Sequence, residues 1–383
     1  MEITTRNNNQ RIQNYELFGP VTNETVLITI QVHNRISYLK HLIESLRVAD
    51  DISTALLIIS HDVYDEALND KVAKIDFCMV LQIYYPHSIQ THPKTFPGDD
   101  PKDCPRDATK LEAKELKCQN YDNPDMYGQF SRKIFSDIFN NIHFPLKGHY
   151  REAKYTQMKH HWWWKLNVIF DQLKVTRFYQ GFLLLLEEDY FVAQDFIHVF
   201  KLMQMQTIKR CTMCNIISLG TYEEVLDKKS FNIIDVDSWT TNLHNMGMAF
   251  NRSTWSAIKN CATYFCEYDE YNYDFSLQNV NRKCLDNNLM VALIRGPRVY
   301  HIGECGVHHA TKHCQADGKI NAVKKQLTEA KKKKILFPSV LKRGKTNLDQ
   351  PWMELVVNGG WGDKRDRSLC LRFTMDASWG NKD

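Results

Sequence analysis

Apolar and polar residues follow two distinct periods along the first half of the chain. "TVLITIQV" (25–32), "TALLIIS" (54–60) and "FCMVLQIYY" (77–85) are short, nearly continuous apolar runs, which predicts strands buried on both faces. Between them, "ISYLKHLIESLRVA" (36–49) and "VYDEALNDKVAKI" (63–75) place apolar residues three and four apart, the spacing of an amphipathic helix. This βαβαβ order predicts an α/β fold with a parallel sheet and right-handed crossovers, as in doubly wound nucleotide-binding folds. A proline-rich loop follows at 86–105, then a helix over "HHWWWKLNVIFDQLK" (160–174). The next run, "GFLLLLEEDYF" (181–191), predicts a further doubly buried strand at Leu183 to Leu186. Three consecutive helical residues point about 100° apart, so Trp162 to Trp164 are expected mainly to pack.

The second half is less regular. "NIISLGTY" (215–222) and "NMGMAF" (245–250) read as strands, and "STWSAIKN" (253–260) reads as a helix capped by Ser253. "NLMVALIRGPRVYHIG" (288–303) reads as two strands broken at Gly296-Pro297. The basic run Lys331 to Lys334 is expected to end a solvated helix. The polar residues 1–22 are set apart as a stem remnant, and 23–383 as a single domain.

Composition narrows the class. A length of 383 residues suits one large α/β domain, and a net charge of +4 without a dense basic stripe gives no argument for nucleic acid. Eleven cysteines are many for a reducing compartment, and several lie close in sequence, as in "CTMC" at 211–214. No second CxxC or HxxxH follows at zinc-finger spacing, which favours disulfides over zinc. Eleven is odd, and Cys78, inside a strand-like run, is expected to stay free. The sequons Asn23-Glu24-Thr25 and Asn251-Arg252-Ser253 agree with a secretory route. No apolar run approaches the length of a membrane span, so an anchor is expected to belong to sequence this chain does not carry.

Ligands of open α/β sheets sit beyond the carboxyl ends of the strands. Gln31 to Arg35, His61-Asp62 and Glu187 to Asp189 all stand at such ends and are expected at one crevice. The acids of "EED" have three uses on these grounds: capping the next helix, holding a divalent metal, or facing solvent. Carboxylates so close repel unless a cation or hydrogen bonds offset their charge.

"LLLLEEDYFVAQDFIHVFK" resembles the EED region of the alpha-1,6-mannosyl-glycoprotein 2-beta-N-acetylglucosaminyltransferase (N-acetylglucosaminyltransferase II) family. "QVHNRISYL" (31–39), "REAKYTQMKHHWWWKL" (151–166), "SLGTY" (218–222), "YDEYNYD" (268–274), "HIGECGVHH" (301–309) and "NGGWGDKRD" (358–366) resemble further blocks of that family, in the same order. The resemblance covers nearly the whole chain from about residue 20.

It implies a disulfide-bonded GT-A type glycosyltransferase of the Golgi lumen, with a Rossmann-like donor half at about 23–220 and an acceptor half at about 221–383. Such an enzyme moves N-acetylglucosamine from UDP-GlcNAc, with Mn²⁺ as cofactor, onto the α1,6 mannose arm of an N-glycan. By the resemblance, Asp189 and His301 are metal ligands; taken alone, a histidine at a strand end is more often structural. Gln31, Val32, His33, Asn34 and Arg35 match a uridine and diphosphate loop, and Asp62 matches a uridine contact. Gln157, Met158, Lys159, His160 and His161 match a later donor segment, with His160 and His161 expected nearest the donor, and Glu187 and Glu188 are assigned as donor-site or supporting groups. The α-linked donor and β-linked product require one in-line displacement with a general base, and Asp274 matches that base. Asp269 and Glu270 are chemically able as well. Five bridges are implied: Cys104–Cys118, Cys211–Cys214, Cys261–Cys284, Cys266–Cys370 and Cys305–Cys314.

The chain departs from the family pattern in three places. Residues 129–148 look like an insertion, one residue is added between Cys305 and Cys314, and Tyr273 stands where tryptophan is expected. The competing readings are a related transferase acting on another arm and an inactive glycan- or nucleotide-binding homologue.

Overall fold

The computed structural model describes residues 2–122, 150–222, 230–303, 317–347 and 358–376. The strands are β1 (Ile12–Gln13), β2 (Val26–Val32), β3 (Ala55–His61), β4 (Met79–Tyr84), β5 (Phe182–Glu187), β6 (Tyr190–Val192), β7 (Ile216–Ser218), β8 (Ile233–Ser238), β9 (Met248–Asn251), β10 (Met290–Ile294), β11 (Val299–His301) and β12 (Lys342–Asn347). Ten of them form one mixed sheet in the order β1-β4-β3-β2-β5-β9-β7-β10-β8-β12, while β6 and β11 pair separately.

The apolar runs of the sequence become the parallel block β4-β3-β2-β5. Every residue of β2 and β3 is buried, which is why these runs do not alternate with polar residues. Successive side chains point to opposite faces. Ile28 and Ile30 meet Leu39, Leu42 and Leu46 of the helix Ile36–Arg47, whereas Leu27, Leu56 and Ile58 belong to a second layer with Trp162 to Trp164. Each large apolar side chain buried in this way contributes about 1.5–3 kcal/mol.

Register then sets the site. Val32 lies opposite His61, and Gln31 lies opposite Glu187, so three parallel strands end at one level. Beyond β5 the chain turns into β6, whose Tyr190 pairs with His301 of β11, which brings His301 beside Asp189. The two halves of "NLMVALIRGPRVYHIG" therefore enter different sheets. That exchange is anchored by buried Arg298, which pairs with Asp195 (3.1 Å) and donates to the Gly296 carbonyl (2.7 Å).

Several local expectations are corrected. The tryptophan-bearing helix begins earlier, at Ala153, and runs to Asn167 before a π-helical turn at Val168–Gln172. The next helix, Arg252–Asn260, is capped by Asn251, whose side chain accepts the Thr254 amide, so Ser253 lies inside the first turn. "NIISLGTY" is extended only at Ile216–Ser218. Residues 1–22 include the helix Glu2–Asn9 and β1, which pairs with β4 at the sheet edge. The side chain of buried Asn7 donates to the Tyr84 carbonyl (2.7 Å) and accepts its amide (2.8 Å), supplying the partners that β4 lacks beyond its short pairing with β1.

Cys104–Cys118, Cys211–Cys214, Cys261–Cys284 and Cys266–Cys370 are bridged, and Cys78 is the one free cysteine among the described residues. The pair Cys305–Cys314 and the segment 129–148 lie outside the described residues. Lys331 to Lys334 are exposed at and just past the end of the helix Asp317–Lys332. Among the described residues, no helix is long and apolar enough to cross a membrane.

Candidate active site

The three strand ends converge through hydrogen bonds. After β2, His33 Nδ1 lies 2.6 Å from Asp62 Oδ2, just past β3, and the His33 amide donates to Glu188 Oε2 (3.0 Å), just past β5. Arg35 donates through Nε to Glu188 Oε1 (2.6 Å) and through Nη1 to Asp189 Oδ2 (2.8 Å). This guanidinium offsets the charge that the adjacent acids concentrate. Burial opposes protonation of His33, but the Asp62 carboxylate outweighs it and pushes the imidazole up to about 9. Below the strand ends, the ammonium of Lys165 donates to Gln31 Oε1 (2.6 Å), and burial pushes it down to about 7.

Asp189 and His301 form the second feature. His301 Nε2 lies 3.2 Å from Asp189 Oδ2, while Asp189 Oδ1 is buried without a hydrogen bond among the described residues. Gly303 keeps this corner clear: a Cβ there would come within 2.4 Å of Asp189 Oδ2 and 3.0 Å of His301 Nε2. Burial favours the neutral acid, yet His301 and Arg35 outweigh it and hold the Asp189 carboxyl below the usual range. A carboxylate and an imidazole aimed at one cleared point, with an unsatisfied oxygen, fit a divalent cation that keeps open positions.

Asp274 faces the same crevice from the other half of the chain. It lies in the first turn of the helix Tyr273–Lys283. Its Oδ2 accepts from the Thr241 hydroxyl and from Asn245 Nδ2 (3.1 Å), and its Oδ1 accepts the Phe275 amide (2.9 Å). Burial pushes its carboxyl above the usual range, against the pull of the Thr241 and Phe275 hydrogen bonds. The preceding Tyr273 donates to Glu187 Oε1 (2.7 Å) and stacks on Trp162, with ring centroids 4.6 Å apart. Nearby Tyr222 is half exposed, and partial desolvation with the charges of Glu187, Asp274 and Asp189 pushes its phenol above the usual range.

The neighbouring acids are otherwise engaged. Asp269 accepts the Trp361 amide (2.9 Å). Glu270 accepts the Asn272 amide (2.8 Å) and the Asn358 amide (2.6 Å), and burial pushes it up to about 7.

The donor segment on the helix Ala153–Asn167 divides by face. Gln157 reaches Asp62 Oδ2 (3.0 Å), and His161 Nε2 meets the Ser60 hydroxyl (2.7 Å). Lys159 and His160 point elsewhere. Lys159 donates to the carbonyls of Tyr268 (3.1 Å) and Glu270 (2.9 Å), and His160 bonds to Asp366 (2.9 Å), because successive helical residues cannot share one face. Met158 packs against the tryptophan layer, Val32 is in the core, and Asn34 is exposed. Sequence reasoning missed Thr241 and Asn245. Their four-residue spacing, which sets two side chains on one face of a helical turn, was the available signal. It also missed Lys165, Tyr222 and the hydroxyl role of Tyr273.

The family model for N-acetylglucosaminyltransferase II (MGAT2) matches residues 1–140 and 136–370. Proteins named alpha-1,6-mannosyl-glycoprotein 2-beta-N-acetylglucosaminyltransferase are similar along the chain. The Sus scrofa protein is 39% identical over 96% of this chain and 77% of its own length. The Homo sapiens protein is 38% identical over 96% and 77%, and the Arabidopsis thaliana protein 30% identical over 96% and 79%. Among solved structures, S. aureus TarS 1-349 superimposes with a TM-score of 0.33 at 10% identity, over 72% of this chain and 59% of that one, too loosely to bear on the fold. On the family match and these identities, the chain belongs to the N-acetylglucosaminyltransferase II family.

Proposed function

We infer that the protein transfers N-acetylglucosamine from UDP-GlcNAc to O2 of the mannose on the α1,6 arm of N-glycans, inverting the anomeric carbon on a GT-A type scaffold. The names of its relatives support transfer of N-acetylglucosamine to an α1,6-mannosyl glycoprotein. The observation that carries it to this chain is the meeting of two devices: the Asp189–His301 pair, and Asp274 linked to it through Tyr273 and Glu187.

Each side chain has a defined task. His33, Asp62 and Gln157 offer a ring N–H, a carboxylate and an amide at the ends of β2 and β3, where the nucleotide would rest. Asp189 and His301 would hold Mn²⁺, which neutralises charge on a departing diphosphate. Arg35, held by Glu188 and Asp189, adds a fixed cation beside that position. Asp274 would take the proton of the attacking mannose hydroxyl. Thr241 and Asn245 hold its Oδ2, leaving Oδ1 with a single backbone donor and a free lone pair. Its burial raises its basicity toward that of a working base. The disulfides and sequons support placement in the Golgi lumen.

Two variants separate the tasks. Asp274→Asn is expected to lower kcat by roughly 10²-fold or more while leaving Mn²⁺-dependent UDP binding intact. Asp189→Ala is expected to lose that binding as well. Near-normal turnover by Asp274→Asn would remove Asp274 from the role of base.

A further inference from the structure

A second constellation lies in the same crevice and has no place in the metal chemistry above. His33, Asp62 and His161 each offer one ligand atom, and these atoms all lie within 4.8 Å of one another. Asp62 is 6% exposed and His161 is fully buried. Two atoms of the trio are left without hydrogen bonds among the described residues: Asp62 Oδ1 and His161 Nδ1. Buried polar atoms are rarely left so, because each unmet one has lost its water without gaining a partner.

We propose that His33, Asp62 and His161 form a Zn²⁺ site, and that a zinc ion held there excludes the nucleotide and so inhibits the enzyme. The exclusion rests on the donor reading above; the zinc site does not. Two imidazole nitrogens and one carboxylate oxygen are a zinc donor set, with a fourth position left for water. The pair Asp189–His301 offers fewer nitrogens and suits a harder ion. Zinc ligand atoms stand about 3.3 Å apart around a tetrahedral ion with bonds of about 2.0 Å, within reach of this trio by side-chain rotation.

The surrounding bonds supply the outer contacts that metal ligands need. Gln157 Nε2 donates to Asp62 Oδ2 (3.0 Å), which leaves Oδ1 for the ion. With zinc on His161 Nδ1, the ring's Nε2–H donates to the Ser60 hydroxyl, 2.7 Å away. At His33 the ion replaces the proton now shared with Asp62, which leaves to solvent. The site is reached from the His33 side, the most exposed of the three.

Zinc chloride titrated into the purified full chain, without UDP or Mn²⁺ and followed by calorimetry, tests the site. Wild type is expected to bind one ion tightly at this trio, apart from any weaker binding at Asp189–His301, and His33→Ala and Asp62→Asn are each expected to weaken the tight binding by roughly tenfold or more. Asp189→Ala is expected to bind zinc as wild type does. Thermal unfolding verifies that each variant is folded, and the near-isosteric Asp62→Asn covers the case in which His33→Ala is not. Unchanged affinity in both site variants, or a loss in Asp189→Ala alone, would overturn the site. In a second arm, UDP is titrated with Mn²⁺, with and without saturating Zn²⁺. A drop in UDP affinity supports exclusion, and equal affinities overturn it. Failure of UDP to bind under any condition would sink the donor reading and the exclusion together, leaving the zinc site to be decided by the first arm.

Discussion

At the scale of single residues, the site depends on charges that burial has moved from their ordinary values. As the base proposed above, Asp274 would act only when ionised, and its carboxyl is pushed up by burial. Activity is therefore expected to fall with decreasing pH from a higher point than an ordinary aspartate would give. Thr241→Val removes a donor that favours the ionised form, so the acid limb of the kcat/KM profile should move further up. An acid limb that stays in place would detach Thr241 from the base. Asp366 is the opposite case. Burial alone would raise it, but Arg151 and His160 outweigh burial and hold it down to about 2. Its folded pKa lies below its unfolded one, so its contribution is present above the unfolded value and is lost as pH falls toward 2. Asp366→Asn removes one of the two carboxylates that pair with buried Arg151, leaving Asp103, and should cost about 1–3 kcal/mol in chemical denaturation at neutral pH.

At the scale of elements, the strands were legible because burial on both faces writes itself as unbroken apolar runs. The runs at 25–32, 54–60 and 77–85 become β2, β3 and β4 nearly as read. Partners of polar side chains were not legible. Nothing local tells that His160 turns to Asp366, 206 residues away, while its neighbour His161 turns to Ser60. The cap expected at Ser253 falls instead at Asn251, because the chain is still extended at Asn251 and turns helical at Arg252. Pairing of Cys266 with Cys370 came from resemblance rather than spacing. That bridge joins the helices Ala262–Cys266 and Lys364–Met375, closing a loop with a sequence separation of 104. Replacing both cysteines by serine should lower unfolding free energy by about 2–5 kcal/mol. A change within error would mean that packing of Trp361 and Phe373 already fixes these helices.

At the scale of the whole molecule, one sheet brings two distant parts of the sequence to a single crevice. The parallel block presents His33, Asp62 and the EED turn, while the second half returns His301 through β11 and Asp274 through a helix start. The order of blocks along the chain suggested these residues, and register explains why they meet. Specificity for one arm of a glycan is a property of this full assembly, since acceptor and donor must be held together for in-line attack. The most direct test is to incubate the purified chain with UDP-GlcNAc, Mn²⁺ and an N-glycan that offers both mannose arms, the α1,3 arm already carrying N-acetylglucosamine, and to determine the linkage formed. The account predicts a single new β1,2 bond on the α1,6-linked mannose. Transfer to any other position, or UDP-GlcNAc hydrolysis without transfer, would contradict it.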